Sequence, residues 1–207
     1  MRVIYASNRS KEYRVVVNKM KLKILVTGSA GDIGSRLSLV LSQRDDIELY
    51  TTALESLNSV QSYHQIFDVR DEAFFDSVKQ IKPDVVVHLA SIIKLPAGMS
   101  IEDAHDIDVK ATEKLLQTCV GIDVKKFIVT SSGAAYGYWK DNAAWLTEDM
   151  PVRGNEDYFY SDHKRQVEEI LSRYRKEYPQ LQQVILRPGT VLGPNFENPI
   201  TNMFEKN

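Results

Sequence analysis

A strand-like run that breaks at spaced glycines and turns straight into a helix dominates the sequence after its first twenty residues. The run is Lys21-Leu-Lys-Ile-Leu-Val-Thr27, and the turn is Gly28-Ser-Ala-Gly31-Asp-Ile-Gly34. Helical spacing then puts Ile33, Leu37, Val40 and Leu41 on one face over residues 33–43. A short continuous apolar run bounded by glycine reads as a buried parallel strand, and such a strand needs helices on both faces of its sheet.

The alternation continues along the chain. Residues 47–52 and 64–67 read as strands, 72–81 as a helix stopped by Pro83, and 84–90 as a fourth, mostly apolar strand. A long helix over 103–120, a strand over 126–130, a helix over 158–178 ended by Pro179 and a strand over 182–187 complete the pattern. No repeat or low-complexity tract suggests a solenoid. Right-handed crossovers leave an α/β fold with a doubly wound, mainly parallel sheet. Such sheets bind ligands beyond the carboxyl ends of their strands, and the polar residues of interest fall there.

The 207 residues suffice for one ordinary domain. With 43% hydrophobic residues and a formal net charge of −2, the chain reads as globular, with no electrostatic case for nucleic acid or an anionic membrane as partner. No apolar run approaches the roughly 20 residues that span a bilayer. Cys119 is the single cysteine, so no internal disulfide forms, in keeping with a cytoplasmic location. Scattered histidines offer no metal-ligand spacing, and no metal site is expected. Residues 1–20 carry scattered charges and lack the apolar stretch of a secretory signal. Residues 3–6 and 15–17 have strand character and could pair as a hairpin. The plainer reading is adopted: an extension outside a core domain of residues 21–207.

Glycine turns arise for many reasons, but one set between a strand and an amphipathic helix suits a phosphate. Glycine lets the backbone approach a pyrophosphate, and free N–H groups at the positive end of the helix face it. Gly28, Ala30, Gly31, Asp32, Ile33 and Gly34 are therefore candidate cofactor contacts. No Gly-Lys-Ser/Thr follows, which excludes a P-loop hydrolase. An acid about 20 residues on commonly holds the ribose of a dinucleotide, yet residues 49–54 read Leu-Tyr-Thr-Thr-Ala-Leu. The choice between NAD and NADP is not written in its usual place. Asp68 and Val69 offer a carboxylate and a backbone N–H to an adenine edge.

Tyr160-Ser-Asp-His-Lys164 sets a phenol and an ammonium one helical turn apart. An ordinary tyrosine, titrating at about 10, is a poor base at neutral pH. A lysine charge at roughly 4 Å favours the phenolate by about 4 kcal/mol at an effective dielectric near 20, enough to bring it towards neutrality and general acid–base catalysis. Alone, such a pair is more often a solvated helix face. Here Val129-Thr-Ser-Ser-Gly-Ala-Ala-Tyr-Gly137 brings hydroxyls to the carboxyl edge of the fifth strand, where one could hold a substrate oxygen. The competing explanation for these serines is a simple strand-end turn.

Taken in order, these segments resemble the extended short-chain dehydrogenase/reductase superfamily, and within it the NAD-dependent epimerase/dehydratase family. The likeness rests on Thr27–Gly34, Asp68-Val-Arg-Asp71, His88-Leu-Ala-Ser91, Ser131–Gly137, Tyr160-x-x-x-Lys164 and Arg187-Pro-Gly-Thr-Val-Leu-Gly-Pro194. It runs from about Lys21 to the C-terminus and implies a Rossmann fold. It also implies catalytic roles for Ser132, Tyr160 and Lys164: Tyr160 as acid/base, with Lys164 lowering its pKa and holding the nicotinamide ribose. Leu89, Ala90, Ser91, Thr130 and the Pro188-Gly189-Thr190 backbone would line the cofactor, NAD ahead of NADP. The implied chemistry is hydride transfer coupled to proton transfer at a hydroxyl or carbonyl, most commonly of a nucleotide sugar, in an epimerase, dehydratase or reductase. A homodimer through the two long helices is implied as well.

Three departures stand out. The ribose-binding acid is missing. The helix after the fourth strand reads Asp108-Val-Lys-Ala-Thr112 where the family usually has Asn-Val-x-Gly-Thr; aspartate loses an amide donor and adds a charge, so no site-ordering role is expected of Asp108. Family members usually continue well past this length to build a substrate lobe, and residues 196–207 fall where that lobe should begin. A fragment with an open substrate side is therefore expected, keeping cofactor binding more readily than turnover. The rival reading is a non-catalytic cofactor-binding or redox-sensing protein on the same fold, against which the intact Ser132, Tyr160 and Lys164 speak. His88 is expected to be packed and hydrogen-bonded rather than catalytic. Trp139 and Trp145 either border the substrate or simply pack.

Overall fold

The computed structural model describes residues 2–5, 15–18, 20–57 and 60–193; Pro194 and residues 196–207 of the sequence analysis lie outside them. Strands β1 (Arg2–Tyr5) and β2 (Val15–Asn18) pair antiparallel as a two-stranded sheet of their own. The pairing considered for these runs is present, in a sheet separate from the main one. Two β-branched runs can satisfy one another's backbone groups, which a lone extended segment cannot do.

The main sheet comprises β3 (Leu22–Thr27), β4 (Ile47–Ala53), β5 (Tyr63–Ile66), β6 (Val85–His88), β7 (Lys126–Thr130) and β8 (Gln182–Leu186). They lie in the order β5-β4-β3-β6-β7-β8, with every neighbouring pair parallel. This is the doubly wound arrangement expected from the sequence. The chain changes direction across the sheet between β3 and β6, the switch point at which such sheets bind ligands.

The helices are α1 (Asp32–Ser42), α2 (Glu72–Ile81), α3 (Ile101–His105), α4 (Ala111–Gly121) and α5 (Phe159–Glu177). One core gathers Leu25, Val86 and Phe127 of the sheet against Phe74, Phe75, Leu115, Leu116 and Leu171. On the other face Ile24, Val26, Leu49 and Val87 meet Leu37 and Leu41 of α1. The expected apolar face of α1 needs correcting: Val40 is 60% exposed and Ile33 is exposed too, while Gly34 and Ser38 are buried. Close approach explains the rotation. A Cβ on Gly34 would sit 2.2 Å from the Gly28 carbonyl oxygen, so the helix turns its small residues to the strand.

The helix expected over 103–120 differs in two ways. It starts earlier, because Ser100 Oγ accepts the Asp103 N–H at 3.0 Å while the Asp103 carboxylate accepts the Ser100 N–H at 3.0 Å. It is also interrupted: α3 passes into α4 through a π-helical turn, Asp106–Lys110. Such turns are rare and collect at functional sites. Among the described residues no helix is long and apolar enough to cross a membrane, and no His, Cys, Asp and Glu cluster could hold a metal ion.

Candidate active site

The three glycines of the first turn differ in what they permit. Gly28 has φ +65°, and a Cβ there would lie 2.6 Å from the Ala90 nitrogen. With Gly34 it makes the tight strand–helix junction possible. Gly31 is different: its φ is −69°, and a Cβ would touch only the Gly28 carbonyl oxygen at an ordinary 3.4 Å. The protein's own packing does not require glycine at 31. Its bare Cα instead leaves open space beside the N-terminus of α1, flanked by exposed Ala30, Asp32 and Ile33. Ser29 Oγ donates to the Thr52 carbonyl at 3.1 Å and ties the turn to β4.

Across the switch point, Leu89, Ala90 and Ser91 follow β6. The Leu89 and Ala90 N–H groups donate to Thr27 Oγ1 at 3.3 and 3.4 Å. Ser91 Oγ and Thr52 Oγ1 are buried with no partner. A buried hydroxyl is normally paired, so both are suited to a ligand oxygen or nitrogen. Asp68 is less free than its sequence suggested. Both its carboxylate oxygens accept from Arg70, at 2.7 to 3.0 Å, and those hydrogen bonds hold the carboxyl below its usual range. Val69 is buried beside it.

Ser132, Tyr160 and Lys164 come together at the end of β7. Ser132 opens a short 3-10 turn, Gly133–Tyr136, and its Oγ accepts the Ala134 N–H at 3.1 Å. The same hydroxyl acts on Tyr160, favouring its ionised form. Lys164 is 5% exposed; its Nζ donates to the Thr130 carbonyl at 3.0 Å and stands 5.6 Å from the centre of the Tyr160 ring. The Ser131 and Gly133 N–H groups donate to the Leu186 and Pro188 carbonyls at 2.7 and 3.0 Å, strapping the loops after β7 and β8 together. Gly189 and Thr190 continue that strap as exposed backbone. Thr130 and Pro188 also line a cleft of about 760 Å³ that Ile33 and Leu186 border.

The expected electrostatics of the tyrosine need correcting. Burial raises the Tyr160 phenol above its ordinary value, and the Ser132 hydroxyl only partly offsets this. Lys164 does not reverse it; its ammonium donates to a carbonyl oxygen on β7. Burial likewise pushes Lys164 down, with Asp108 and Glu168 acting against it.

Two neighbours close the site. Glu168 is bound by Arg187 at 2.6 Å and by Ser131 Oγ at 2.5 Å, and Arg187 also donates to the Tyr136 hydroxyl at 2.6 Å. His88 is packed and hydrogen-bonded, as expected. Thr112 donates to the Asp108 carbonyl, so it accepts from His88 Nε2 at 2.9 Å; Thr27, 2.7 Å from Nδ1, completes the pairing. Burial pushes this imidazole down to about 4.

Asp108 overturns its expectation. It is buried in the π turn, where its Oδ1 accepts the Ile92 N–H at 2.8 Å and its Oδ2 lies 2.9 Å from His163 Nδ1. Its two carboxylate oxygens reach one neighbour each, joining the π turn to the loop after β6 and to α5. A charged residue between Ile107 and Val109 was the available signal, since buried charge requires partners. Trp139 donates from Nε1 to the Gly154 carbonyl at 2.8 Å, whereas Trp145 is 86% exposed.

A glycine turn at the switch point of a doubly wound sheet, facing a Ser–Tyr–Lys cluster, is the architecture of a short-chain dehydrogenase/reductase. The family model for the NAD dependent epimerase/dehydratase family matches residues 24–206, and the chain belongs to that family. It is 31% identical over 179 residues to a UDP-glucose 4-epimerase of Erwinia amylovora, covering 80% of this chain and 52% of that protein. A GDP-6-deoxy-D-talose 4-dehydrogenase of Aggregatibacter actinomycetemcomitans is 28% identical over 155 residues, 74% of this chain and 49% of that one. Among solved structures, UDP-glucuronic acid 4-epimerase from Bacillus cereus in complex with NAD aligns with a TM-score of 0.71 and 26% identity, covering 89% of this chain and 64% of that chain. The chain spans about half the length of the curated relatives it matches.

Proposed function

We propose that residues 21–207 are the cofactor-binding part of an NAD-dependent epimerase or dehydratase acting on a nucleotide sugar, with Tyr160 as its acid/base. The observation that carries this reading is buried Lys164, its Nζ bound to the Thr130 carbonyl and 5.6 Å from the Tyr160 ring, beside Ser132 at the strand edge that also carries the glycine turn. The residues fit a dinucleotide: the space at Gly31 admits a pyrophosphate, and the unpaired Ser91 hydroxyl offers it a polar contact. Relatives that act by name on UDP-glucose, and a similar structure that holds NAD, support the substrate and cofactor class. NADP remains the alternative, because no acid ends β4 to disfavour a 2′-phosphate.

Bound NAD would supply a hydride acceptor and a positive charge. Tyr160 takes the proton from a substrate hydroxyl and later returns it. Ser132 holds that oxygen within reach, and Lys164 contributes charge and a ribose contact. The intact Ser132–Tyr160–Lys164 cluster speaks against the rival reading, cofactor binding without turnover. A cytoplasmic setting and a homodimer through the helices from Ile101 to Gly121 and α5 belong to the same proposal. Tyr160→Phe should keep NAD affinity and lower turnover of UDP-glucose by about a hundredfold or more. Equal turnover by the two proteins would overturn the assignment.

A further inference from the structure

We propose that Tyr158 and Tyr138, both held by Asn155, form an aromatic shelf on which the sugar ring of the substrate rests against Tyr160. The inference rests on reading Tyr160 as the acid/base of a nucleotide-sugar enzyme. Among the described residues five aromatic side chains stand exposed, and four of them, Tyr138, Trp139, Trp145 and Tyr158, fall between residues 138 and 158. Exposed apolar surface gathered in this way marks a binding site more often than scattered residues do. Two of the four adjoin the reacting phenol. The Tyr158 ring centre lies 6.2 Å from that of Tyr160 and 6.1 Å from that of Tyr138, so the three phenols are successive neighbours. Exposure rises along them, from half-buried Tyr160 through Tyr158 at 41% to Tyr138 at 69%.

One residue fixes the backbone of both outer tyrosines. Asn155 Oδ1 accepts the Tyr138 N–H at 2.7 Å, and the Asn155 carbonyl accepts the Tyr158 N–H at 3.0 Å. Ser161 Oγ, 3.4 Å from the same Oδ1, donates to the Ala134 carbonyl at 2.7 Å and joins this clamp to the turn that Ser132 opens. Trp139 is occupied differently: its Nε1 donates to the Gly154 carbonyl, and the Arg153 guanidinium lies 5.7 Å from its ring centre. It braces the loop and leaves the tyrosines as the free faces. What rests on them follows from the chemistry at Tyr160. The hydroxyl that exchanges its proton there is carried on a sugar ring, so that ring lies within reach of the nearest aromatic neighbour. A pyranose has apolar C–H faces and hydroxyls around its edge, and a tyrosine offers it an apolar face with a polar tip. The nucleobase is flat as well, but it is separated from the sugar by two phosphates and a ribose.

The test is calorimetric titration of the NAD-loaded chain with UDP-glucose and, separately, with UDP. Wild type is compared with a Tyr138→Leu, Tyr158→Leu double variant, which keeps apolar bulk and removes both flat faces. Both positions are exposed, so the variant should keep its fold and its NAD affinity. It should bind UDP-glucose about tenfold more weakly than wild type while holding its affinity for UDP. Asn155→Ala should share the loss, whereas Asn155→Asp should not, because a carboxylate oxygen still accepts the Tyr138 N–H; an unmoved Asn155→Ala would overturn its positioning role. Unchanged UDP-glucose affinity in the double variant would overturn the shelf and leave the functional reading standing. An equal loss for UDP would also overturn it, by assigning the rings to the nucleotide. A wild-type chain that bound NAD but neither UDP compound would sink the functional reading and the shelf together.

Discussion

Two buried polar clusters hang from successive turns of α5, and they are built on opposite principles. Around Glu168 every charge is answered: Arg187 grips both carboxylate oxygens, Ser131 donates to one, and Arg187 reaches on to Tyr136. Around Lys164 the ammonium meets a carbonyl oxygen, while the buried carboxylate of Asp108 is engaged with His163 and Ile92. The first cluster locks the loops after β7 and β8 into place. The second leaves a cation and a phenol unsettled at the edge of the sheet, where a ligand would complete them. A closed network gives rigidity and an open one gives chemistry.

Breaking the closed cluster should produce the largest effect. Arg187→Met strands Glu168 as a buried carboxylate, and urea unfolding at pH 7 should show a loss of about 3–5 kcal/mol. A loss well under 1 kcal/mol would mean that the pair is effectively solvated.

His88 tests the layer between the clusters and the sheet. Its folded value of about 4 lies below the unfolded value near 6.5, so the unfolded chain binds more protons between them. Stability is therefore full above about 6.5 and falls as the pH drops towards 4, by about 3 kcal/mol. In His88→Gln this acid limb should flatten, as read from urea midpoints at stepped pH. An unchanged limb would place the titrating group elsewhere.

Lys164→Met should have the smallest effect on folding, within about 1 kcal/mol at pH 7, since it removes a buried cation and leaves an apolar stem. Its signature lies in the alkaline range. Burial sets the folded lysine below its ordinary value of 10.5, so the unfolded chain holds the extra proton between the two. Wild type should gain stability relative to Lys164→Met as the pH rises through that window. A falling difference would contradict the burial account. Light scattering at working concentration probes the helical surface outside both clusters, with a dimer expected and a clean monomer opposing it.

The contrast also explains what the sequence made legible. The parallel strands were visible because burial on both faces leaves unbroken apolar runs such as Val85-Val-Val87. The glycine turn and Tyr160-x-x-x-Lys164 were visible because each lies within a few residues of chain. Asp108 and His163 are 55 residues apart and meet through a π turn that periodicity cannot reveal. The buried face of α1 was misjudged because close approach at Gly34 outweighed hydrophobicity at Val40. The upward shift of Tyr160 is hidden from the sequence because the burial that causes it is a tertiary fact.

The most direct test of the central claim is calorimetric titration of the wild-type chain and of Gly31→Val with NAD and NADP. A Cβ at residue 31 meets only the Gly28 carbonyl oxygen, at 3.4 Å, but would occupy space a pyrophosphate needs, so the variant should keep its urea midpoint. Wild type should bind NAD and the variant should lose that binding. A folded wild type that bound neither nucleotide, or a folded variant that bound as well as wild type, would contradict it.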